Sequence, residues 1–163
     1  MEDPNAPDPN RKVRASLLDR LLDDAPDSGP EKPPLRTQPR NRFAISLVRD
    51  LGLLLNTRST KRFDVGKDAG TRSVLDYGVD DYTHMSPQSE PDRRTIEKHV
   101  REAITAFEPR LVNPKIRCEP VEGHHRQCVL RISAWLWAET TREPVSFSIM
   151  LDLQEGEARV YGR

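Results

Sequence analysis

The chain has 163 residues, enough for one domain, and because only 35% are hydrophobic and 32% are charged its core must be modest. The 26 basic and 26 acidic residues cancel, which argues against a general nucleic-acid binder and against membrane adhesion through a basic face. Its apolar stretches fall short of the roughly 18 to 20 residues that span a bilayer. Its acidic, proline-rich start lacks the pattern of a secretory signal, so we expect a cytoplasmic protein.

The first forty residues divide into three predicted segments. Residues 1–12 are rich in proline and asparagine and are predicted to be disordered. Residues 13–24 are predicted to form an amphipathic helix with a stripe of four leucines, Leu17, Leu18, Leu21 and Leu22. Residues 25–40 contain five prolines and are predicted to be an extended linker. Because so short a helix is marginal alone, we expect it to dock on a partner.

Residues 41–163 are predicted to form the folded body, which starts with helices. Apolar residues at a 3.6-residue spacing predict a helix over roughly 42–56. A second helix is predicted to begin after Ser89, a plausible N-cap, and its apolar stripe runs from Ile96 to Phe107. Pro109 is predicted to end it, since the residue before a proline is pushed out of the helical region.

Beyond Asn113-Pro114 the apolar period changes to two, which predicts strands. The first is expected to start at Ile116 and Cys118 and to turn at Gly123. The next two strands are expected to bury Cys128, Leu130, Ile132, Ala134, Leu136, Val145, Phe147, Ile149, Leu151 and Leu153. A short strand over 158–161 follows a turn at 154–156. Helices followed by an antiparallel meander predict an α+β domain, two main helices on a small sheet.

A zinc site is one candidate, because Cys118, His124, His125 and Cys128 supply two thiols and two imidazoles within eleven residues. The two cysteines are nearly symmetric about Gly123, however, so we expect them to oppose each other across a hairpin while the histidines occupy its exposed turn. Their spacing matches no specific zinc pattern, and we predict neither a metal nor a cofactor.

Glycoside hydrolysis is the best enzymatic alternative, since two carboxylates suffice for it. Glu108 and Glu139 are the candidates, and Trp135 and Trp137 share a strand face on which a sugar could stack. A general acid needs its pKa raised by an apolar pocket, whereas Arg110 lies two residues from Glu108 and favours its charged form. Paired tryptophans on a strand more often cover a helix or a partner. The chain is therefore predicted not to be an enzyme.

The segment Phe107-Glu108-Pro109-Arg110-Leu111 stands out beside these motifs. A plain helix stop explains the proline and the two apolar residues, but not an acid and a base on either side of a rigid residue. We expect Glu108 and Arg110 to project from this corner as exposed charges. An arginine fork held there suits a partner's carboxylate, so Glu108, Pro109 and Arg110 are predicted to bind a partner protein.

Four strings in this order resemble the TssE family, the type VI secretion relatives of the contractile-phage baseplate wedge protein that carries a lysozyme-like label. They are Ser16–Leu21, Leu54–Arg58, Ser73–Gly78 and Phe107–Leu111. The resemblance runs from about Val13 to the C-terminus. It includes the glutamate-proline-arginine signature of the family, at Glu108, Pro109 and Arg110.

The resemblance implies a structural subunit of the cytoplasmic baseplate, with no glycan hydrolysis. Its partners would be the wedge subunits TssF and TssG and the sheath proteins, with the Glu-Pro-Arg corner on the wedge core and the sheet templating sheath polymerisation. The residues themselves are compatible with this role, because a small meander ends in edge strands that accept strands from other chains. A cytoplasmic adaptor outside any secretion machine and a peptidoglycan hydrolase remain as alternatives.

Overall fold

The structure is a computed structural model, and it describes residues 12–14, 37–59, 74–138 and 141–162. These residues include two helices, α1 over Arg40–Asn56 and α2 over Glu90–Phe107, and a 3-10 turn at Val74–Asp76. A four-stranded antiparallel meander has the order β3-β4-β5-β6. Its strands are β3 (Leu111–Val121), β4 (His124–Ala138), β5 (Thr141–Asp152) and β6 (Glu157–Gly162). The predicted α+β class is confirmed.

Both helices pack on one face of this sheet, α1 beside β6 and α2 beside β3. The alternating residues predicted to point inward along β4 and β5 do so, and all but the partly buried Val145 belong to the buried core. Leu51 of α1 and Ile96, Val100 and Ile104 of α2 complete this core from the helix side. Ser89 caps α2 as predicted, with its hydroxyl oxygen accepting the Asp92 N–H at 3.4 Å.

Strand β3 begins at Leu111 and not near Ile116 as predicted, because a β-bulge lies between the two. Leu111 and Ile116 are both buried although five positions separate them, an odd spacing that a regular strand would place on opposite faces. The pairing with β4 shifts between Val112 and Lys115, and Asn113 there has a positive φ of 52°. One extra residue thus returns the strand to the core face.

A second, two-stranded sheet pairs β1 (Lys12–Arg14) with β2 (Thr37–Pro39). Residues 12–14 and 37–39, at the borders of the predicted N-terminal segments, are strands, and the division into three segments stays a prediction. Gln38 is extended because it precedes Pro39, and a proline disfavours the helical conformation in the residue before it. The rest of the predicted disordered segment, helix and linker lies outside the described residues. No helix among the described residues is long and apolar enough to span a membrane.

The outer edges of the meander are partly covered by side chains from the helices. Asn56 at the end of α1 donates to the Ala158 carbonyl and accepts from the Ala158 N–H, both at 2.8 Å. On the opposite edge, Glu97 of α2 accepts the Cys118 N–H at 2.8 Å, and Pro120 has no N–H to offer. These contacts occupy groups that would otherwise pair with a foreign strand.

We predict that Asn56→Ala lowers the free energy of unfolding by about 2 kcal/mol, because two hydrogen bonds to Ala158 are lost at about 1 kcal/mol each. Denaturant unfolding with an unchanged m-value would measure it. Thr57→Ala is the matched control, since the Thr57 hydroxyl donates to the Leu53 carbonyl within the same helix end, at an exposed site. Equal losses in the two variants would show that Asn56 does not hold the β6 edge.

Candidate functional site

Three of the segments that carry the family resemblance meet in space. The Thr57 carbonyl accepts the Val79 N–H at 2.9 Å, which joins the end of α1 to the segment around Tyr77. The Tyr77 ring packs edge-on against Phe107, with ring centroids 5.2 Å apart, and so joins that segment to the end of α2. Gly78 fits between them at φ 114°, because a Cβ there would lie 2.4 Å from the Thr57 oxygen.

The Glu-Pro-Arg corner is a tight turn between α2 and β3. The Glu108 N–H still donates to the Ile104 carbonyl at 2.9 Å, while its own carbonyl accepts the Leu111 N–H at 3.0 Å. Pro109 lies inside this turn and is exposed. The turn therefore ends the helix and starts the strand within three residues, as the proline predicts.

The Glu108 side chain is buried, with only 5% of the residue exposed. Its carboxylate accepts two hydrogen bonds from the Arg110 guanidinium, one from Nε at 2.5 Å and one from Nη2. The predicted exposure of this carboxylate is wrong. The reason is that the guanidinium fork two residues later satisfies both of its oxygens, so the charge can be buried.

Arg110 also binds across to helix α1. Its Nη2 lies 2.7 Å from Asp50 Oδ2, and its Nη1 lies 3.4 Å from the Ser46 hydroxyl. Burial would lower the pKa of Arg110, but the hydrogen bonds and charges of Glu108 and Asp50 outweigh it and raise that pKa. The guanidinium thus connects the corner to α1 while its charge is balanced by two carboxylates.

Asp50 is shared with a second arginine and faces a tyrosine. Arg49 donates to Asp50 Oδ1 through Nε and Nη2 at 3.1 and 3.0 Å. The pKa of the Tyr77 hydroxyl is raised, first by burial and then by the negative charges of Asp50 and Glu108. These contacts define the corner network as Ser46, Arg49, Asp50, Glu108 and Arg110.

Sequence reasoning found the corner but missed its partners on α1. Ser46 and Asp50 are four residues apart and so lie on one face of the helix. Two polar residues at this spacing, within the stretch of α1 whose apolar residues form the core, are the signal that marks them. The prediction that Glu108, Pro109 and Arg110 bind a partner protein stays a prediction, and so does the docking of Leu17, Leu18, Leu21 and Leu22, which lie outside the described residues.

Glu108, the acid that glycoside hydrolysis would use, is buried, and both of its oxygens accept hydrogen bonds from Arg110. Glu139 lies outside the described residues, as does the side chain of Trp137. Trp135 is 45% exposed, but it lies on the sheet face opposite the helices.

The cysteines do not oppose each other as expected. Cys118 pairs with Leu130 and Cys128 pairs with Pro120, so the two thiols are diagonal neighbours on the core face. Both are buried, whereas His124 and His125 are exposed at the turn as expected. The hydrogen bond to Cys118 and burial raise the pKa of the Cys128 thiol. Among the described residues no group of three possible ligands is arranged to hold a metal ion.

Comparisons with known proteins found one matching family model and a similar solved structure. The family model described as "Baseplate wedge protein gp25" matches residues 42–141, more than half of the chain. Among solved structures, a chain of "The baseplate complex from the type VI secretion system" is similar, with 14% sequence identity and a TM-score of 0.45. The similarity covers 68% of this chain and 94% of that chain. No curated protein sequence matches significantly.

We predict that Glu108→Ala lowers the free energy of unfolding by about 3 kcal/mol, because Arg110 then loses its buried carboxylate partner. Arg94→Ala is the control: Arg94 pairs with Glu90 on the surface of α2 with 75% of its side chain exposed, and the loss should stay below about 0.5 kcal/mol. Chemical denaturation of both variants measures the difference. A Glu108 variant as stable as the Arg94 variant would contradict the burial of this charge.

Proposed function

Because the chain belongs to the baseplate wedge protein gp25 family, we propose that it is a structural subunit of a type VI secretion baseplate. There it links the wedge to the contractile sheath and helps to initiate sheath polymerisation. The observation that carries the proposal is the family match over the α1, α2, β3 and β4 segments, which contains the Glu-Pro-Arg corner. The protein works at the cytoplasmic face of the machine and has no catalytic role.

The wedge subunits TssF and TssG are the proposed partners of the corner. Pro109 is exposed at its tip, and α1, which Arg110 contacts through Asp50, carries an exposed apolar stripe. Ile45 is 70% and Leu53 48% exposed. They lie two helical turns apart, with Arg49 midway between them. Leu53 is also one turn from Asp50, which holds Arg110. We define the corner surface as Ile45, Leu53, Pro109 and the outer edge of Arg110.

The burial of Glu108 changes how the corner can act. A carboxylate enclosed by Arg110 positions the guanidinium and the proline, and it does not itself offer a free charge to a partner. The rigid turn therefore presents Pro109 and the apolar stripe of α1 in a fixed geometry, which lowers the ordering cost of binding. In this proposal Glu108 contributes to partner binding through the shape of the corner.

The sheath contact is proposed at the far end of β6. Asn56 already occupies the outward backbone groups of Ala158. By the antiparallel alternation, the backbone groups of Val160 and Gly162 point the same way. A sheath strand that adds to this edge would therefore pair with the last residues of β6.

The role in a baseplate can be tested by purifying a tagged full-length chain from its native cells and identifying the co-purified proteins by mass spectrometry. We expect wedge and sheath proteins in stoichiometric amounts. Recovery of unrelated cytoplasmic proteins in their place would favour the adaptor function and contradict the baseplate proposal.

We predict that Pro109→Ala weakens co-purification with the wedge subunits at least about fivefold, since a contact at the centre of an interface contributes upward of about 1 kcal/mol. The fold should persist, because the buried charges of the network remain. Pro91→Ala is the control, an exposed proline at the opposite end of α2. Equal recovery of the wedge subunits with both variants would show that Pro109 only ends the helix and does not contact a partner.

We predict that replacing Leu17, Leu18, Leu21 and Leu22 together by serine reduces incorporation into the baseplate while the thermal midpoint of the body stays within about 2 °C, roughly a 0.5 kcal/mol change. The four leucines then act on a partner and not on their own domain. Leu35→Ser serves as the control, because Leu35 is the one large apolar residue predicted within the linker. A large fall in midpoint with the quadruple variant would show that these leucines stabilise the body itself.

A further inference from the structure

The sheet has a second face, opposite the helices, that carries an apolar row. Trp135 pairs directly with Val112 of β3 on one side and with Pro144 of β5 on the other. Trp135 is 45% exposed, Pro144 is exposed and Val112 is partly buried. A solvated sheet face normally carries polar residues, so three apolar residues across three adjacent strands require another explanation. We call this side of the sheet the open face.

Positive charge lies directly beside the apolar row. Lys115 and Arg117 of β3 are exposed, and neither has a hydrogen bond or an ion pair with a described residue. Arg117 stands directly opposite Arg131 of β4, and like charges in such a pair destabilise a sheet. Folding alone does not favour this pair.

The other cross-strand neighbours of these basic side chains on the open face are serines. Lys115 lies opposite Ser133, which lies opposite Ser146, and Arg131 lies opposite Ser148. The nearest carboxylate is Glu119, which accepts a hydrogen bond from Arg131 Nε at 2.7 Å. The open face is therefore apolar at Trp135 and basic over the next two rows.

The carboxylates of the open face other than Glu119 are at its other end, where they have partners of their own. Asp152 accepts a hydrogen bond from Gln127 at 2.8 Å, and Glu157 pairs with Arg159 at 2.9 Å. They are remote in register from Lys115 and Arg117 and do not neutralise them. Charge is thus segregated along the strands of a chain whose net charge is zero.

We propose that the open face binds an acidic segment of a neighbouring protein subunit in the assembled baseplate. The segment places an apolar side chain on the row Val112, Trp135 and Pro144, and its carboxylates pair with Lys115 and Arg117. Charge complementarity is the ground for this choice, because the basic side chains are exposed and unpaired beside an apolar anchor point. The inference rests on the proposed baseplate function and adds a surface distinct from the corner.

A protein segment is favoured over a nucleic acid by the charges nearby. Glu119 borders the basic rows and would repel a phosphate backbone, and the chain as a whole has no net positive charge. A carboxylate-bearing peptide carries fewer charges and can avoid Glu119. Nucleic acid is accordingly an outcome that the test must be able to detect.

The test places a photo-crosslinking amino acid at Ser133, which is exposed between Lys115 and Trp135 on the open face, in the full-length chain in its native cells. Baseplates are isolated after irradiation, and the crosslinked peptide is identified by mass spectrometry. We expect an acidic peptide with a large apolar residue. The same crosslinker at Arg101, exposed on α2, is the positional control and should not capture that peptide.

Charge reversal then tests the chemistry of the contact. Arg117→Glu and Lys115→Glu should each lower the crosslink yield at least about tenfold, because like charges replace opposite ones. Arg101→Glu makes the same change in net charge and should leave the yield unchanged. The thermal midpoint of Arg117→Glu should be unchanged or raised, since the repulsion with Arg131 is removed. Reversing the acidic residues of the captured peptide to lysine should restore the yield.

Three outcomes would overturn the proposal. If assembled baseplates contain the chain but give no crosslink from position 133, the proposed binding at the open face is wrong, while the proposed baseplate function is unaffected. A crosslink to nucleic acid, or to a peptide whose capture survives both charge reversals, contradicts the proposed chemistry. A chain that never enters a baseplate contradicts the proposed function as well, so the two failures are distinguishable.

Discussion

The Arg110 guanidinium lies between two carboxylates. Through these contacts it connects the helix layer to the start of the sheet. Glu108 belongs to the turn that ends α2, whereas Asp50 belongs to α1, so one side chain connects both helices at the point where β3 begins. The burial of a charge is tolerable only when its partners are fixed. The tight turn at Pro109 and the packing of Tyr77 on Phe107 hold those partners in place. Removal of either carboxylate would leave a buried positive charge half compensated, which is why the corner tolerates little change.

This arrangement leaves the protein with two different surfaces. On the helix side, Pro109 and the apolar side chains of Ile45 and Leu53 are exposed. On the opposite side of the sheet, Trp135 and the basic rows of β3 and β4 are exposed. A subunit that joins neighbours within a baseplate needs surfaces that point in different directions. The family membership and the two surfaces therefore support the same structural role.

Most of the fold could be predicted from the sequence because it depends on local periodicity. The stripe of α1, the Ser89 cap of α2 and the alternation along β4 and β5 each follow from the spacing of apolar residues. The start of β3 could not, since the bulge at Asn113 reverses the alternation and hides the first residues of the strand. The contacts of Arg110 with Asp50 and Ser46 were also out of reach, because these two residues are about sixty residues away in sequence and adjacent only after folding.

The central claim is that Arg110 couples α1 to the corner through Asp50. A double-mutant cycle with Asp50→Asn, Arg110→Gln and the combined variant, measured by denaturant unfolding of the full chain, tests it most directly. We expect each single change to destabilise the protein, and the double variant to be less destabilised than the sum by at least about 1.5 kcal/mol, as for groups in one buried network. Single effects that add to within about 0.5 kcal/mol would show that the two residues act independently, and would contradict the account.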